Sequence, residues 1–234
     1  MSLRANARTF DLARNTVREL NAELHHLDPE TSHYWRIFNP KGRHSIAAGL
    51  DADATVEIAG NVGYYCAGMN KRATVLVKGN AGVGVAENMM SGLVHVQGDA
   101  SQSAGATANG GLLVIDGSAS ARCGISLKGA DIVVKGSIGH MSAFMAQAGS
   151  LVVLGDAGEA LGDSIYEARL FVRGNVHSLG ADCIEKQLED QHRKQLHALL
   201  ERAGIAREVD IGEFRRYGSA RRLYHFHVDN ASAY

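Results

Sequence analysis

Aliphatic residues recur along the middle of the chain at a constant spacing of 19, as pairs whose members lie two positions apart. The first members are Val56, Val75, Val94, Leu113, Ile132, Leu151 and Leu170. The second members are Ile58, Val77, Val96, Ile115, Val134, Val153 and Val172. Side chains two positions apart share one face of a β-strand. The pattern therefore predicts seven short strands, each turning one face toward an apolar core.

A glycine follows each aliphatic pair by two positions; these are Gly60, Gly79, Gly98, Gly117, Gly136, Gly155 and Gly174. The next residue is always Asn, Asp or Ser, which favour turns because their side chains hydrogen-bond nearby backbone. Seven positions after the glycines, small residues form another column: Ala67, Ala86, Gly105, Gly124, Ala143, Gly162 and Ala181. We interpret the glycines as the points where the chain turns a corner. We interpret the column of small residues as the place where each repeat has little room for side chains.

A repeat of this length is too short for a strand and a crossover helix, so each repeat is best accommodated as one coil of a solenoid. A left-handed hexapeptide solenoid needs an aliphatic residue every six positions, yet Tyr64 and Gln102 fall at that spacing. We therefore predict an all-β fold: a single-stranded right-handed parallel β-helix of about seven coils, spanning residues 34–181. A degenerate first coil is expected before them, since Ile37 precedes Val56 by one full repeat.

Helical extensions are predicted at both ends of the solenoid, an arm over residues 1–33 and a helix with a tail over residues 182–234. The arm places apolar residues at helical spacing after an Asn15 or Thr16 N-cap: Val17, Leu20, Leu24 and Leu27. In the second extension, Asp182 and Glu185 form a capping-box pattern. An apolar side follows, made of Ile184, Leu188, Leu196, Leu199, Leu200 and Ala203, and Gly204 is a natural stop. The tail, with Tyr217, Tyr224 and Phe226, is expected to pack along the rod or to reach a partner.

Two sets of apolar residues are candidates for a partner interface. The first is an outward stripe between the core columns: Val114, Val133, Val152 and Phe171. Such a stripe should not face water, so either the chain's own C-terminal segment or a partner covers it. The second set lies at the coil corners: Tyr64, Tyr65, Met89, Met90, Met141, Phe144 and Met145. Core filling is the more usual role of such residues, and partner contact is the alternative.

The search for chemistry leaves no catalytic, cofactor-binding or metal-ligating residue to assign in this chain. The segment from Gly79 to Gly84 resembles a phosphate-binding loop, but its first glycine belongs to the corner column and no Lys-Ser/Thr follows. The three cysteines form no CxxC pair, and Cys66 and Cys123 lie three coils apart, too far for a disulfide. Of the eleven histidines, only His25 with His26 and His225 with His227 lie close together, and ordinary surface or packing roles are favoured over metal binding for both sets.

Composition narrows the function classes further. A net charge of −1 gives no field that would attract nucleic acid or an anionic membrane surface. No stretch reaches the length of a membrane span or the apolar core of a signal peptide. We expect a cytoplasmic protein with reduced thiols.

Four segments carry a family resemblance: Gly79–Met90, Ala119–Gly124, Gly139–Phe144 and Leu179–Cys183, with Val17–Asn21 of the arm. With these, the chain resembles the C-terminal β-helix domain of the glutamate synthase large subunit, the GXGXG domain. It is similar in particular to the free-standing version of that domain in N-methylglutamate synthase. The resemblance implies a non-catalytic scaffold in a hetero-oligomer, beside an amidotransferase-like subunit and a synthase subunit that carries FMN and an iron–sulfur cluster. The complex would convert methylamine and glutamate to N-methylglutamate and ammonia.

Two alternatives remain open at the level of the sequence. The chain also resembles the β-helix subunit of formylmethanofuran dehydrogenase, whose partners would include a molybdenum or tungsten protein. An independent β-helix enzyme acting on glycans or acyl groups would instead depend on charged flank residues such as Lys135 or Arg173.

Overall fold

A computed structural model describes residues 7–28 and 31–222. Its first strands are β1 (Arg8–Asp11), β2 (His33–Phe38), β3 (Ala54–Ile58), β4 (Thr74–Val77), β5 (Leu93–Val96) and β6 (Leu112–Ile115). The remaining strands are β7 (Lys128–Val134), β8 (Ala148–Val153), β9 (Arg169–Val172), β10 (Cys183–Lys186) and β11 (Arg215–Ser219). The helices are α1 (Val17–His25) and α2 (Asp190–Arg202), with a short 3-10 helix at Ile211–Glu213.

The strands form one sheet in which β1 to β9 adjoin in chain order and run parallel. From β3 to β9 paired residues are one repeat apart, as Val56 and Val75 are, except at a register shift where Lys128 pairs with Ala148. A second line of parallel bridges follows the corner from Val62 to Val176. The predicted parallel solenoid of about seven 19-residue coils is thereby confirmed, while its right-handed sense stays a prediction.

Between the corner and the next strand, each coil turns through residues of alternating backbone handedness. Gly84, Ala86 and Asn88 have φ of 70°, 57° and 55°. Their N–H groups donate in alternation to the following and the preceding coil, to Gln102, Cys66 and Ala106, each at 2.9 Å. We call the side of the solenoid formed by these segments the turn face.

The small-residue column lies within the turn face. Its members from Ala67 to Gly162 all have positive φ and lie against the interior. At Gly105 a Cβ atom would come within 2.6 Å of Ile132 Cδ1. The prediction that the coil is narrow at this column is therefore confirmed. The residues here are small for two reasons: the space is limited, and the left-handed backbone disfavours a branched Cβ.

The first coil departs from the register of the others. Trp35 pairs with Val56 and Ile37 with Ile58, so each partner lies two positions further along the chain than in the regular coils. The predicted alignment of Ile37 with Val56 is wrong, because the corner at residues 39–42 accommodates two additional residues. Positive φ at Asn39, Lys41 and Gly42 shows how that longer corner turns.

The N-terminal arm is only partly helical, contrary to the prediction for residues 1–33. β1 pairs in parallel with β2 and so extends the sheet by one strand. The predicted helix follows as α1, with Thr16 as its N-cap and Glu19 completing a capping box. Asn21 fixes α1 to the first coil, donating to the Ser45 carbonyl at 2.8 Å and accepting from the Ala47 N–H at 3.0 Å. Leu20 and Leu24 are buried, so the arm closes this end of the core.

The C-terminal helix begins later than predicted. Residues 183–186 form β10, which pairs antiparallel with β11, and the helix starts at Asp190 after Glu189. The capping box expected at Asp182 is wrong, since that carboxylate accepts from Ser219 Oγ at 2.7 Å and the Arg222 N–H at 2.9 Å. The predicted stop is confirmed: α2 ends at Arg202, and Gly204 follows with φ of 76°. Tyr224 and Phe226 of the predicted tail lie outside the described residues.

Candidate interaction surfaces

The outward apolar stripe is buried under the chain's own C-terminal segment. Val133, Val152 and Phe171 are fully buried and Val114 is 3 % exposed. They pack in one cluster with residues of α2 and the loop after it: Leu196, Leu199, Leu200, Ile205 and Phe214. Of the two interpretations of the stripe, the intramolecular one is what the structure shows. Those four side chains offer no free surface to a partner.

The sheet's outer face beyond the reach of α2 carries ion pairs. Asp116 lies between His95 and Lys135, with Oδ2 3.0 Å from His95 Nε2 and Oδ1 2.7 Å from Lys135 Nζ. Burial by itself would raise the pKa of Asp116, but Lys135 and His95 together hold it below the ordinary value. Within the described residues, no hydroxyl or thiol hydrogen-bonds to His95. Lys135 and Asp116 form an ion pair, and His95 contacts the second oxygen of the same carboxylate.

On the turn face, the second set of interface candidates divides into a buried residue and several exposed or half-buried ones. Met89 is fully buried, so for this residue core filling is correct and an interface role is excluded. Tyr64 and Met90 are 58 % and 47 % exposed, and Tyr65, Met141 and Phe144 are half-buried. The structure brings Met141 and Phe144 together within one coil. It separates them from Tyr64 and Tyr65 by four coils, roughly 19 Å at the spacing of parallel strands.

Sequence reasoning missed Met69, which is 48 % exposed on the same face. Met69 and Met145, at 44 % exposure, share a column nine positions after the corner glycines. This column has positive φ wherever the coil is regular, as at Asn88 and Ser126. The 19-residue repeat could have revealed the column, but only the backbone shows that it points outward.

The thiols are inside the solenoid. Cys66, Cys123 and Cys183 are free, as expected for cysteines so far apart. Burial raises the pKa of each thiol to about 12, which keeps them protonated and unreactive at neutral pH. Among residues 7–28 and 31–222, no group of three or more His, Cys, Asp or Glu side chains could hold a metal ion. Neither helix in this part of the chain has the length and apolarity to span a membrane.

Comparison with known proteins places the chain in a family. No protein-family model matches it. It is, however, 60 % identical over 226 residues to Protein GlxC of Rhizobium meliloti (strain 1021), a match covering 96 % of this chain and 99 % of GlxC. The chain belongs to the GlxC family.

A match of this extent includes the coils and both helices of this chain. The name GlxC specifies no reaction.

Proposed function

We propose that this member of the GlxC family is a non-catalytic scaffold subunit of a glutamate-synthase-like complex. The complex proposed is N-methylglutamate synthase, which would form N-methylglutamate and ammonia from methylamine and glutamate. Its partners would be an amidotransferase-like subunit and a synthase subunit carrying FMN and an iron–sulfur cluster. The observation that carries the proposal is the set of exposed apolar side chains on the turn face: Tyr64, Met69 and Met90 on the first two regular coils and Met145 on the fifth.

The composition of the turn face suits protein contact. Interfaces are enriched in Met and aromatic residues, and Met adapts to irregular partner surfaces. Two of the segments that carry the resemblance to glutamate synthase, Gly79–Met90 and Gly139–Phe144, run through this face. The family resemblance and the exposed apolar residues therefore coincide on one side of the solenoid.

Rigidity supports a scaffold role as well. Backbone N–H groups of each coil donate to neighbouring coils along the strands, the corners and the turn face. Seven coils at the spacing of parallel strands give a rod of roughly 34 Å. A body of this kind can hold two larger subunits at a fixed separation without moving itself.

Coexpression of the tagged chain with the neighbouring genes of its genome tests the proposal. We expect co-purification of two larger subunits, the flavin absorbance of the second one, and conversion of methylamine and glutamate to N-methylglutamate by the complex. Formation of glutamate from 2-oxoglutarate instead would retain the scaffold role and reject the methylamine assignment. Recovery of the chain alone, with soluble partners in the same lysate, would reject both.

A pair of matched variants locates the interface. Met90→Glu with Met145→Glu places two charges on the turn face, and capture of the partners should fall at least tenfold because a carboxylate at an interface core is poorly solvated. Gln97→Glu adds a carboxylate at an exposed position before the corner Gly98, outside the turn face, and should leave capture unchanged. Equal capture by all variants would show that the turn face is not the contact.

A further inference from the structure

A polar cavity of about 170 Å³ lies where β9, β10 and β11 meet the first turn of α2. Cationic side chains line it, Arg169, Lys186, Arg216 and Arg221, together with His192 of α2, the main chain of Gly218 and one carboxylate, that of Glu167. This cavity is separate from the turn face and from the Asp116 ion pairs. The scaffold proposal assigns it no role.

Strand register brings these cations together. Lys186 and Arg216 are directly opposite each other on the antiparallel strands β10 and β11. Arg216 also pairs with Phe171 of β9, so both cations project from the outer face of the sheet, the side that α2 covers. Like charges directly opposite on neighbouring strands repel each other and destabilise the pair.

The positive charge in the cavity is only partly balanced by the protein. Arg221 is paired with Glu167 at 2.8 Å. Arg169 and Arg216 donate to neutral oxygens, Gln195 Oε1 at 2.8 Å and the Gln187 carbonyl at 2.9 Å. Among the described residues, no carboxylate oxygen lies within 4.0 Å of the cationic nitrogens of Arg169, Lys186 or Arg216.

The electrostatics of neighbouring groups agree with this excess. Burial lowers the pKa of Arg216, Glu189 partly offsets the effect, and Arg169 lowers it further. Burial and then Arg216 lower the pKa of His192, which favours the neutral imidazole beside the guanidinium groups, and Glu189 partly offsets this effect. Partly desolvated cations that repel one another create a strong preference for an anion between them.

We propose that this cavity binds a small dianion bearing carboxylate or phosphate groups. Guanidinium groups present paired N–H donors that match the oxygens of either group, and the Lys186 ammonium supplies a further charge-assisted donor. Gly218 keeps the floor open, since a Cβ atom there would still be 3.7 Å from its nearest neighbours. The proposal is independent of the scaffold role and of its partners.

Calorimetric titration of the full chain at constant ionic strength tests the idea, with inorganic phosphate and 2-oxoglutarate as probes and chloride as the reference. We expect saturable binding of one probe, and its identity distinguishes the phosphate from the carboxylate source. Arg216→Gln should weaken binding at least tenfold. Arg193→Gln, on the exposed side of α2, is the matched control and should bind like the parent protein.

Gly218→Val fills the cavity while every charge is retained, and we expect it to abolish binding without lowering the denaturation midpoint. Lys186→Gln relieves repulsion, so in low salt without the probes it should raise that midpoint. Absence of saturable binding, or equal binding by the parent, Arg216→Gln and Gly218→Val, overturns the proposal. Binding that requires removal of residues 223–234 overturns it too, because the chain itself would then compete for the cavity.

Discussion

At each corner of the solenoid, a side-chain oxygen accepts the backbone N–H of the corresponding residue one coil later. Asn61 accepts from Asn80 at 2.9 Å, Asn80 from Asp99 at 2.9 Å, and Asp99 from Ser118 at 2.7 Å. The ladder continues through the two serines and Asp156 to Asn175. The column therefore accepts Asn, Asp or Ser alike, because the shared requirement is a short side chain with an acceptor oxygen.

Removal of one acceptor from this ladder should cost a modest amount of stability. Asp99→Ala leaves the Ser118 N–H to water, and we expect the free energy of unfolding to fall by about 0.5–1.5 kcal/mol. Asp99→Asn retains the acceptor and should stay within about 0.5 kcal/mol of the parent. Urea denaturation followed by circular dichroism measures both, and an Asn variant as unstable as the Ala variant would contradict the hydrogen-bond explanation.

The corner glycines are required because the acceptor ladder occupies the space of a Cβ atom. At Gly155 a Cβ would lie 2.6 Å from the carbonyl carbon of Gly136 and 2.6 Å from Ser137 Oγ. Gly155→Ala should therefore destabilise the protein by about 1–3 kcal/mol, as overpacking does elsewhere. Gly218→Ala is the matched control, since a Cβ there would make ordinary contacts at 3.7 Å and the backbone has no left-handed φ; its stability should be unchanged or raised by up to about 1 kcal/mol. Equal midpoints for the two variants would refute the steric argument.

At the level of elements, α2 packs on the outer face of the sheet and covers its apolar stripe. Its buried residues Leu196, Leu199 and Leu200 face the stripe that the valines and Phe171 form on β6 to β9. Gln195 adds a polar link, donating to Ser150 Oγ at 3.0 Å, and Arg202 pairs with Asp131 at 2.8 Å. Apolar contact supplies the stability and these polar contacts set the position of the helix.

Truncation of one side chain in this contact should loosen the cover. Leu200→Ala removes a fully buried side chain, and we expect unfolding to become easier by about 2–5 kcal/mol. Binding of a hydrophobic dye should rise before global unfolding, since the stripe becomes accessible when α2 detaches. Lys194→Ala on the exposed side of the same helix should change stability by less than about 0.5 kcal/mol and leave dye binding unchanged. Identical dye binding by both variants would indicate that α2 does not detach separately.

On the scale of the whole molecule, the solenoid is a stack in which each coil contacts only its neighbours, so the end coils need protection. At the N-terminal end, β1 pairs with β2 and α1 covers the interior of the first coil. At the other end, β11 pairs with β9 in the antiparallel sense, which ends the parallel stack. Both covers are built from the chain's own extensions.

Removal of the N-terminal cover should make the rod associate through its exposed edge. A variant that begins at residue 31 lacks β1 and α1, and β2 then presents unpaired backbone groups to other copies. We expect a larger particle in light scattering, with a red shift of the emission of Trp35, the single tryptophan, whose ring Arg8 covers at 4.6 Å in the intact chain. Deletion of residues 1–6 is the control and should leave both measurements unchanged. A monomeric protein after the longer deletion would show that the edge is otherwise protected.

The repeat itself could be predicted because it is periodic. The columns represented by Val75, Val77 and Gly79 specify a strand, its inward face and a corner, and a constant spacing is enough to stack them. The prediction of strand register and helix bounds failed where the period breaks. In the first coil, Trp35 pairs with Val56 because the corner contains two additional residues. After Gly174, the strand β10 occupies the residues where the helix was expected to begin. Local patterns such as Asp182 with Glu185 suit a capping box, but an available strand partner, β11, competes for the same residues.

The sequence by itself determined the parallel solenoid, its 19-residue coil, a helix in the arm capped at Asn15 or Thr16, and the separation of the cysteines, because each depends on the period or on contacts within one helical turn. Only the tertiary structure decided which apolar side chains are exposed to solvent and which are buried. α2 returns across the sheet to bury Phe171 under Leu200, which is distant from it in the sequence, while Met69 and Met145 remain exposed. The cationic cavity likewise exists only when Lys186, Arg216 and Arg169 meet across three strands. Contacts between segments that do not share the 19-residue period produce no repeating pattern in the sequence. Such contacts can therefore be identified only in the folded structure.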